Sequence, residues 1–248
     1  LLTEKYEIDN GILEEIIRRA QEGNLRTSRL PEGEGRRKEE RIRIAAEAIA
    51  RGVRRASEEK IRRGEASLEN AQGVARKLIR EWAQSNGYWY DEERLLEGTD
   101  KGKSGSESQT YVAKDNSFVR KLTKPILYHG NVQPLVESVS LFGDVFPDTA
   151  YGIKGFGQNA EGQLCLVVEQ SFVAGETLKD ASIDTFAAQD QITEFMEDLG
   201  FEQVSRTSYG HGVFFVSDLH PGNVIVTSNG TLRIIDANVA LANKEHTI

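Results

Sequence analysis

A single cysteine, Cys165, leaves no internal disulfide possible and no cysteine cage for a metal. The four histidines are scattered, with neither a His-Glu-x-x-His nor a His-x-x-x-His pair, which argues against a zinc site. No run of 18 apolar residues occurs, so no transmembrane helix is expected. The opening LLTEKYEIDNG lacks the basic-then-apolar layout of a secretory signal. The expected setting is a reducing compartment, the cytoplasm, with no membrane partner.

What is present suits a globular chain. The 248 residues are 38% hydrophobic and 28% charged, enough for a sizeable core in one large domain or two small ones. The net charge of −8 is unevenly spread. Residues 1–85 hold 19 basic and 16 acidic side chains, and the remainder 12 and 23. Such asymmetry suggests two regions with different tasks.

The first region reads as helical. Ile8, Ile12, Ile16 and Ile17 share one face, and GNLRTSRLPEGEG follows as a loop. Ile42, Ala45, Ala46, Ile49 and Val53 form a second stripe, and Val74, Leu78, Ile79 and Trp82 a third, with Gly87 placed to close the helix. The arginine clusters within 36–43 and 54–63 are interleaved with acids and have no alternating aromatics. They read as solvated helix faces, and nucleic acid is not an expected partner, although an arginine-rich helical binder is the competing reading.

After Trp89 the pattern changes to short β-like runs: TYVAKD, SFVRKL, YGIKGF, QLCLVVEQSFV, GVFFVSD, NVIVT and LRIID, separated by Gly and Asn turns. Two helical segments interrupt them, one around PLVESVSLF and one over 186–201, whose stripe is Phe186, Ile192, Phe195, Met196 and Leu199. The expected class is therefore α+β, with a helical region over 1–88 and a second domain over 89–248.

Asp218, Asn223 and Asp236 stand at intervals of five and thirteen, each beside a strand-like run. A carboxylate at a strand end and an amide oxygen on a nearby loop suit magnesium, which prefers hard oxygen ligands. A second carboxylate could accept a proton from an attacking hydroxyl. The competing reading is turn chemistry, since Asp, Asn and Gly are the commonest turn residues and DLHPGN could be a plain loop.

DLHPGN followed by IID resembles the catalytic loop and metal-binding aspartate of the protein-kinase-like fold. The resemblance implies Asp218 as catalytic base, with Asn223 and Asp236 as Mg²⁺ ligands on ATP phosphates. It also implies a phosphate-covering turn in GKSGSESQTYV, using Gly105 and Ser106, and a strand lysine, Lys121, with Glu137 as its ion-pair partner on the next helix. The strand LCLVVEQSFVAGE would lead to a hinge where Glu169, Gln170 and Phe172 meet adenine. The turn, the lysine and the glutamate have bland counterparts: a surface hairpin, an edge-strand lysine and a solvated glutamate.

FPDTAYGIKGF, EFMEDLGF and DLHPGNVIVTSNGTLRIID together are similar to the small kinase-like domains of polyvalent proteins, carried by phages and conjugative elements. That resemblance covers about 90–240. It implies a minimal bilobal kinase-like fold, with a strand-rich N-lobe over about 89–168 and a reduced C-lobe over 169–248, preceded by the helical region. The implied activity is ATP- and Mg²⁺-dependent phosphoryl transfer to a protein or small-molecule hydroxyl; the alternative is a non-catalytic, pseudokinase-like binding module. The missing His-Arg and the short C-terminal part support that alternative. Val216-Ser217 stand where protein kinases have His-Arg, and Ala237-Asn238 where they have Phe-Gly. Only twelve residues follow Asp236, so the substrate-docking part of the C-lobe is expected to be missing or replaced.

Overall fold

The computed structural model describes residues 38–39, 41–46, 48–49, 68–102, 108–125, 133–181 and 184–241. The stripe Ile8–Ile17, Val53, Gly105 and Ser106 lie outside the described residues. The described part of the second stripe is helical, and Ile42, Ala45, Ala46 and Ile49 are buried.

Helix α1 (Leu68–Ser85) buries Ala75, Leu78, Ile79, Trp82 and Ala83 at alternating steps of three and one, while half-buried Val74 marks the edge of that face. Its end is a Schellman closure, in which the Tyr88 N–H reaches Ala83 O at 2.7 Å and the Gly87 N–H reaches Gln84 O at 3.4 Å. Gly87 takes φ +72°, which an L side chain rarely adopts. Tyr88 then stacks back on Trp82 with ring centroids 5.4 Å apart.

Six strands form the first sheet in the order β1-β5-β6-β4-β3-β2. They are β1 (Trp89–Tyr90), β2 (Thr99–Lys101), β3 (Gln109–Ala113), β4 (Phe118–Pro125), β5 (Gly152–Gln158) and β6 (Leu164–Ser171). Between β1 and β2 lies the short helix α2 (Glu92–Leu96), capped by the Asp91 carboxylate, which accepts the Arg94 N–H. β6 is central, so Leu164 through Val168 are all buried rather than alternating between core and solvent.

Helix α3 (Gln133–Val145) and a single 3₁₀ turn (Pro147–Thr149) precede β5. Beyond β6 come β7 (Glu176–Thr177), α4 (Leu178–Ala181) and α5 (Thr185–Asp198). A four-stranded sheet follows in the order β13-β10-β9-β8, from β8 (Glu202–Ser205), β9 (Ser208–His211), β10 (Phe214–Ser217) and β13 (Asn238–Leu241). A three-stranded sheet in the order β12-β11-β7 adds β11 (Val224–Val226) and β12 (Leu232–Ile234). The mixture of helices and sheets is the α+β class expected from the sequence.

By compactness the chain divides into two units, one drawn from 1–111, 120–133 and 152–168, the other from 112–119, 134–151 and 169–248. The first has a core of Tyr90, Leu95, Tyr111, Leu122, Cys165 and Val167. The second has a larger core: Phe142, Phe146, Leu178, Ala188, Ile192, Met196, Phe201, Tyr209, Val216, Leu219, Val224, Ile234 and Val239. Each large apolar side chain there contributes roughly 1.5–3 kcal/mol on burial.

The stripe expected on the second helix needs correction at both ends. Ile192 and Met196 are fully buried, but Phe186 is 68% and Leu199 46% exposed. Phe186 lies in the first turn of α5, where the Asp184 carboxylate caps its N–H, and the Arg206 guanidinium covers its ring at 4.4 Å. Leu199 sits past the last helical residue, at the C-cap. The apolar face runs instead through Ala188, and buried Gln189 lies beside it.

Candidate functional site

The loop from β10 to β11 is built on an inward-outward alternation. Val216, Leu219, Pro221 and Val224 are buried, whereas Asp218 and His220 are exposed. Asp218 has φ +61°, a left-handed conformation that costs a non-glycine residue about 1–2 kcal/mol. The next residue, Leu219, is held at both its backbone N–H and its carbonyl. Leu219 N–H donates to Thr207 O at 3.0 Å, and Leu219 O accepts from Gln189 Nε2 at 3.2 Å. Gln189 is itself fixed, since its Nε2 also reaches the Tyr209 hydroxyl at 3.1 Å, and that hydroxyl lies 3.0 Å from Thr193 Oγ1.

His220 accepts the Gly222 N–H on Nδ1 at 3.1 Å, capping the short 3₁₀ turn Pro221–Asn223. A neutral imidazole accepting on Nδ1 carries its proton on Nε2. Nε2 stands 3.9 Å from Asp218 Oδ1, so the ring faces the carboxylate without a direct hydrogen bond. Glycine at 222 leaves the ring its space, because a Cβ there would come within 3.0 Å of His220 Cε1.

Asn223 joins the two halves of the site. Its Nδ2 donates to Asp218 O at 2.8 Å, and its own carbonyl accepts the Ile235 N–H at 2.9 Å. A backbone carbonyl can only accept, so it must be the amide nitrogen that faces Asp218. The amide oxygen Oδ1 then accepts no hydrogen bond among the described residues, and Asp236 follows one residue after the bonded Ile235. An uncommitted amide oxygen beside a carboxylate-bearing strand end fits a small hard cation, so Asn223 and Asp236 would hold Mg²⁺. Among the described residues no group of three His, Cys, Asp or Glu side chains converges as a metal cluster.

The strand leading to Asp236 is held from the segment after α3. Arg233 pairs with Asp148 at 2.8 Å, Ile234 O accepts from Thr149 Oγ1 at 2.6 Å, and Ile235 O accepts from the Tyr151 hydroxyl. Burial, with a further push from the Asp236 charge, raises the Tyr151 phenol well above its ordinary range, so it stays a donor. Gln170 Nε2 donates to Thr149 O.

The remaining candidate residues are placed as follows. Lys121 is half-buried on β4, on the face opposite Arg120, which turns inward and donates to Arg94 O and Leu95 O at 2.9 and 3.0 Å. Glu137 is exposed on α3. Glu169 is half-buried on β6, and Gln170, expected at the adenine hinge, has a buried side chain whose amide nitrogen serves Thr149. The Phe172 N–H donates to Ser117 O at 3.2 Å, leaving its carbonyl as the polar backbone group for a hinge contact.

Sequence reasoning missed Gln189, Thr193, Tyr209, Thr149 and Tyr151 as supports of the site. The last two lie in FPDTAYGIKGF, which carried a family signal without a role; the other three carried none. Among the described residues no helix is long and apolar enough to cross a membrane. A family model described as Serine/Threonine/Tyrosine Kinase found in polyvalent proteins matches residues 73–243. No curated protein matches the chain significantly.

Proposed function

The chain belongs to the serine/threonine/tyrosine kinase family found in polyvalent proteins, and from that membership we propose that it is an ATP- and Mg²⁺-dependent phosphotransferase. The γ-phosphoryl group passes to a hydroxyl of a protein or a small molecule. The observation that carries this reading is Asn223, whose side chain bonds the Asp218 backbone while its own carbonyl bonds the residue before Asp236.

In this reading Asp218 orients the acceptor hydroxyl and takes its proton as the new O–P bond forms and the bond to the β-phosphate oxygen breaks, ADP leaving with that electron pair. Asn223 Oδ1 and the Asp236 carboxylate hold the metal, which when bound neutralises charge on the phosphates. Lys121 pairs with the α- and β-phosphates. Backbone groups of Glu169 to Phe172 take adenine. The setting is the cytoplasm, as one module of a larger mobile-element protein that also carries the helical region.

The first test is thermal stabilisation of the full chain by ATP with and without Mg²⁺. No Mg²⁺-dependent rise in melting temperature would sink the proposal. If nucleotide binds, labelled γ-phosphate transfer, compared with Asp218→Ala and Asp236→Ala, separates turnover from binding. Binding without transfer would leave a non-catalytic nucleotide-binding module instead.

A further inference from the structure

We propose that residues 148–151 form a positioning clamp for the aspartate at the end of β12, with Thr149 and Tyr151 fixing the backbone from which Asp236 projects; the inference rests on the phosphotransferase reading. Three consecutive residues before Asp236 are each held by this one segment. Asp148 takes the Arg233 side chain, Thr149 the Ile234 carbonyl and Tyr151 the Ile235 carbonyl. The contacts join residues 84 and 85 positions apart in sequence, so they do not arise from local turn formation.

Their burial is graded. The Asp148–Arg233 pair is exposed, with side chains 65% and 38% accessible, and is worth little in water. Thr149 is 2% exposed, so its hydroxyl bond is shielded from competing solvent. Tyr151 is half-buried, with its ring 4.9 Å from that of Phe142, a core residue of α3. The clamp is anchored in turn. Gln170, 4% exposed on β6, donates its amide to Thr149 O, so the strand that leads toward the hinge region holds the same residue that holds Ile234.

The chemistry explains the choice of groups. A metal-ligand carboxylate must sit within a few tenths of an ångström of its working position, and a three-residue strand supplies few bonds of its own. Ile235 N–H to Asn223 O is the bond that sets the distance between the two ligand-bearing residues. Donors from 149 and 151 to the carbonyls of Ile234 and Ile235 restrain the same stretch further. Thr149, Tyr151 and the side chain of Gln170 are thus positioning groups, acting through the backbone of 234–236.

The test uses the full chain carrying Thr149→Val, Thr149→Ser or Tyr151→Phe. Two quantities are read: Mn²⁺ affinity in the presence of ATP, by electron paramagnetic resonance, and hydrogen exchange of the Ile235 amide. Thr149→Val is expected to weaken Mn²⁺ binding about tenfold, the scale of lost outer-shell support, and to speed Ile235 exchange about as much. Thr149→Ser, which restores the hydroxyl, should return both to within about twofold of wild type. Equal behaviour of the valine and serine variants, or unchanged Ile235 exchange in the valine variant, overturns the clamp. Should Thr149→Val fail to fold, Tyr151→Phe removes the other donor while keeping the ring on Phe142, and the same two outcomes decide. If the wild type binds no Mn²⁺ with ATP, the phosphotransferase reading fails, and Ile235 exchange alone still decides the clamp.

Discussion

Asn116 and Asp218 adopt nearly the same backbone conformation, at φ 56° and 61°, and are the non-glycine residues with positive φ among those described. Their surroundings differ. Asn116 sits in the turn between β3 and β4, closed by its own N–H to Ala113 O at 2.8 Å. The adjacent Asp115 carboxylate accepts from Ser117 N and Oγ at 3.0 and 2.6 Å, and a single longer-range bond arrives, from Phe172 N–H to Ser117 O. This is ordinary turn chemistry, in which Asn tolerates the left-handed region and Asp bonds two residues on. Asp218 is followed by Leu219, held through Thr207 and Gln189, the latter 30 residues away, and the carbonyl of Asp218 is held by Asn223. A strained residue that distant parts of the fold over-determine is the pattern of a functional site. That long-range support is what separates DLHPGN from the turn at Asn116.

The largest expected effect is on chemistry alone. Asp218→Asn keeps a residue that accepts φ near +60° and removes the proton acceptor. Phosphoryl transfer should fall about 10²–10⁴-fold, while the urea midpoint moves by less than the equivalent of about 1 kcal/mol. A variant with wild-type turnover would remove Asp218 from the chemistry and place it with Asn116 as a turn residue.

Next in size is the support beneath the loop. Gln189→Met keeps volume but leaves Leu219 O without its side-chain donor and deprives the Tyr209 hydroxyl of one partner. Denaturant unfolding should show a loss of about 1–3 kcal/mol. Tyr209→Phe, which leaves the bond to Leu219 in place, should cost less. Equal stability of wild type and Gln189→Met would mean that the distant support contributes nothing, and the contrast with Asn116 would collapse.

The same contrast explains what could be read in the sequence. The helix ending at Gly87 was legible because its closure is local: a glycine, two backbone bonds and an aromatic one residue later. The family was legible because DLHPGN and IID, at their spacing, carry the resemblance that the family match over 73–243 bears out. Thr149, Tyr151, Gln170 and Gln189 were not, since each donates to a backbone carbonyl 21 to 85 residues away. A carbonyl is the same on every residue, so nothing at position 219, 234 or 235 announces the partner. Phe186 and Leu199 show the opposite error, in which periodicity carried the apolar stripe past the turns that the core covers.

Smaller still is the effect expected at Asn116. Asn116→Gly relieves about 1 kcal/mol of left-handed strain but adds freedom to the unfolded chain worth a similar amount. The two nearly cancel, and the urea midpoint should move by the equivalent of about 0.5 kcal/mol or less in either direction. A loss above about 2 kcal/mol would show that this turn, too, depends on side-chain support from elsewhere.

The smallest expected effect is the titration of that turn. Hydrogen bonds from the Ser117 hydroxyl, and then its N–H, hold the Asp115 carboxyl below the ordinary aspartate value of 3.8. A depressed folded pKa means that the unfolded chain binds the proton more readily. The bonds therefore favour the folded turn fully above 3.8, and that preference fades as the pH falls through the folded value. Because the carboxylate is solvent-exposed, global stability should barely respond, and the signal belongs to the turn itself. An NMR titration of Asp115 should find its midpoint below 3.8, and Ser117→Ala should move that midpoint up toward 3.8. A Ser117→Ala midpoint identical to wild type would show that neighbours further off set the carboxyl. Asn116 would then lie in a turn supported like that of Asp218, and the distinction between a local turn and an over-determined one would lose its simpler member.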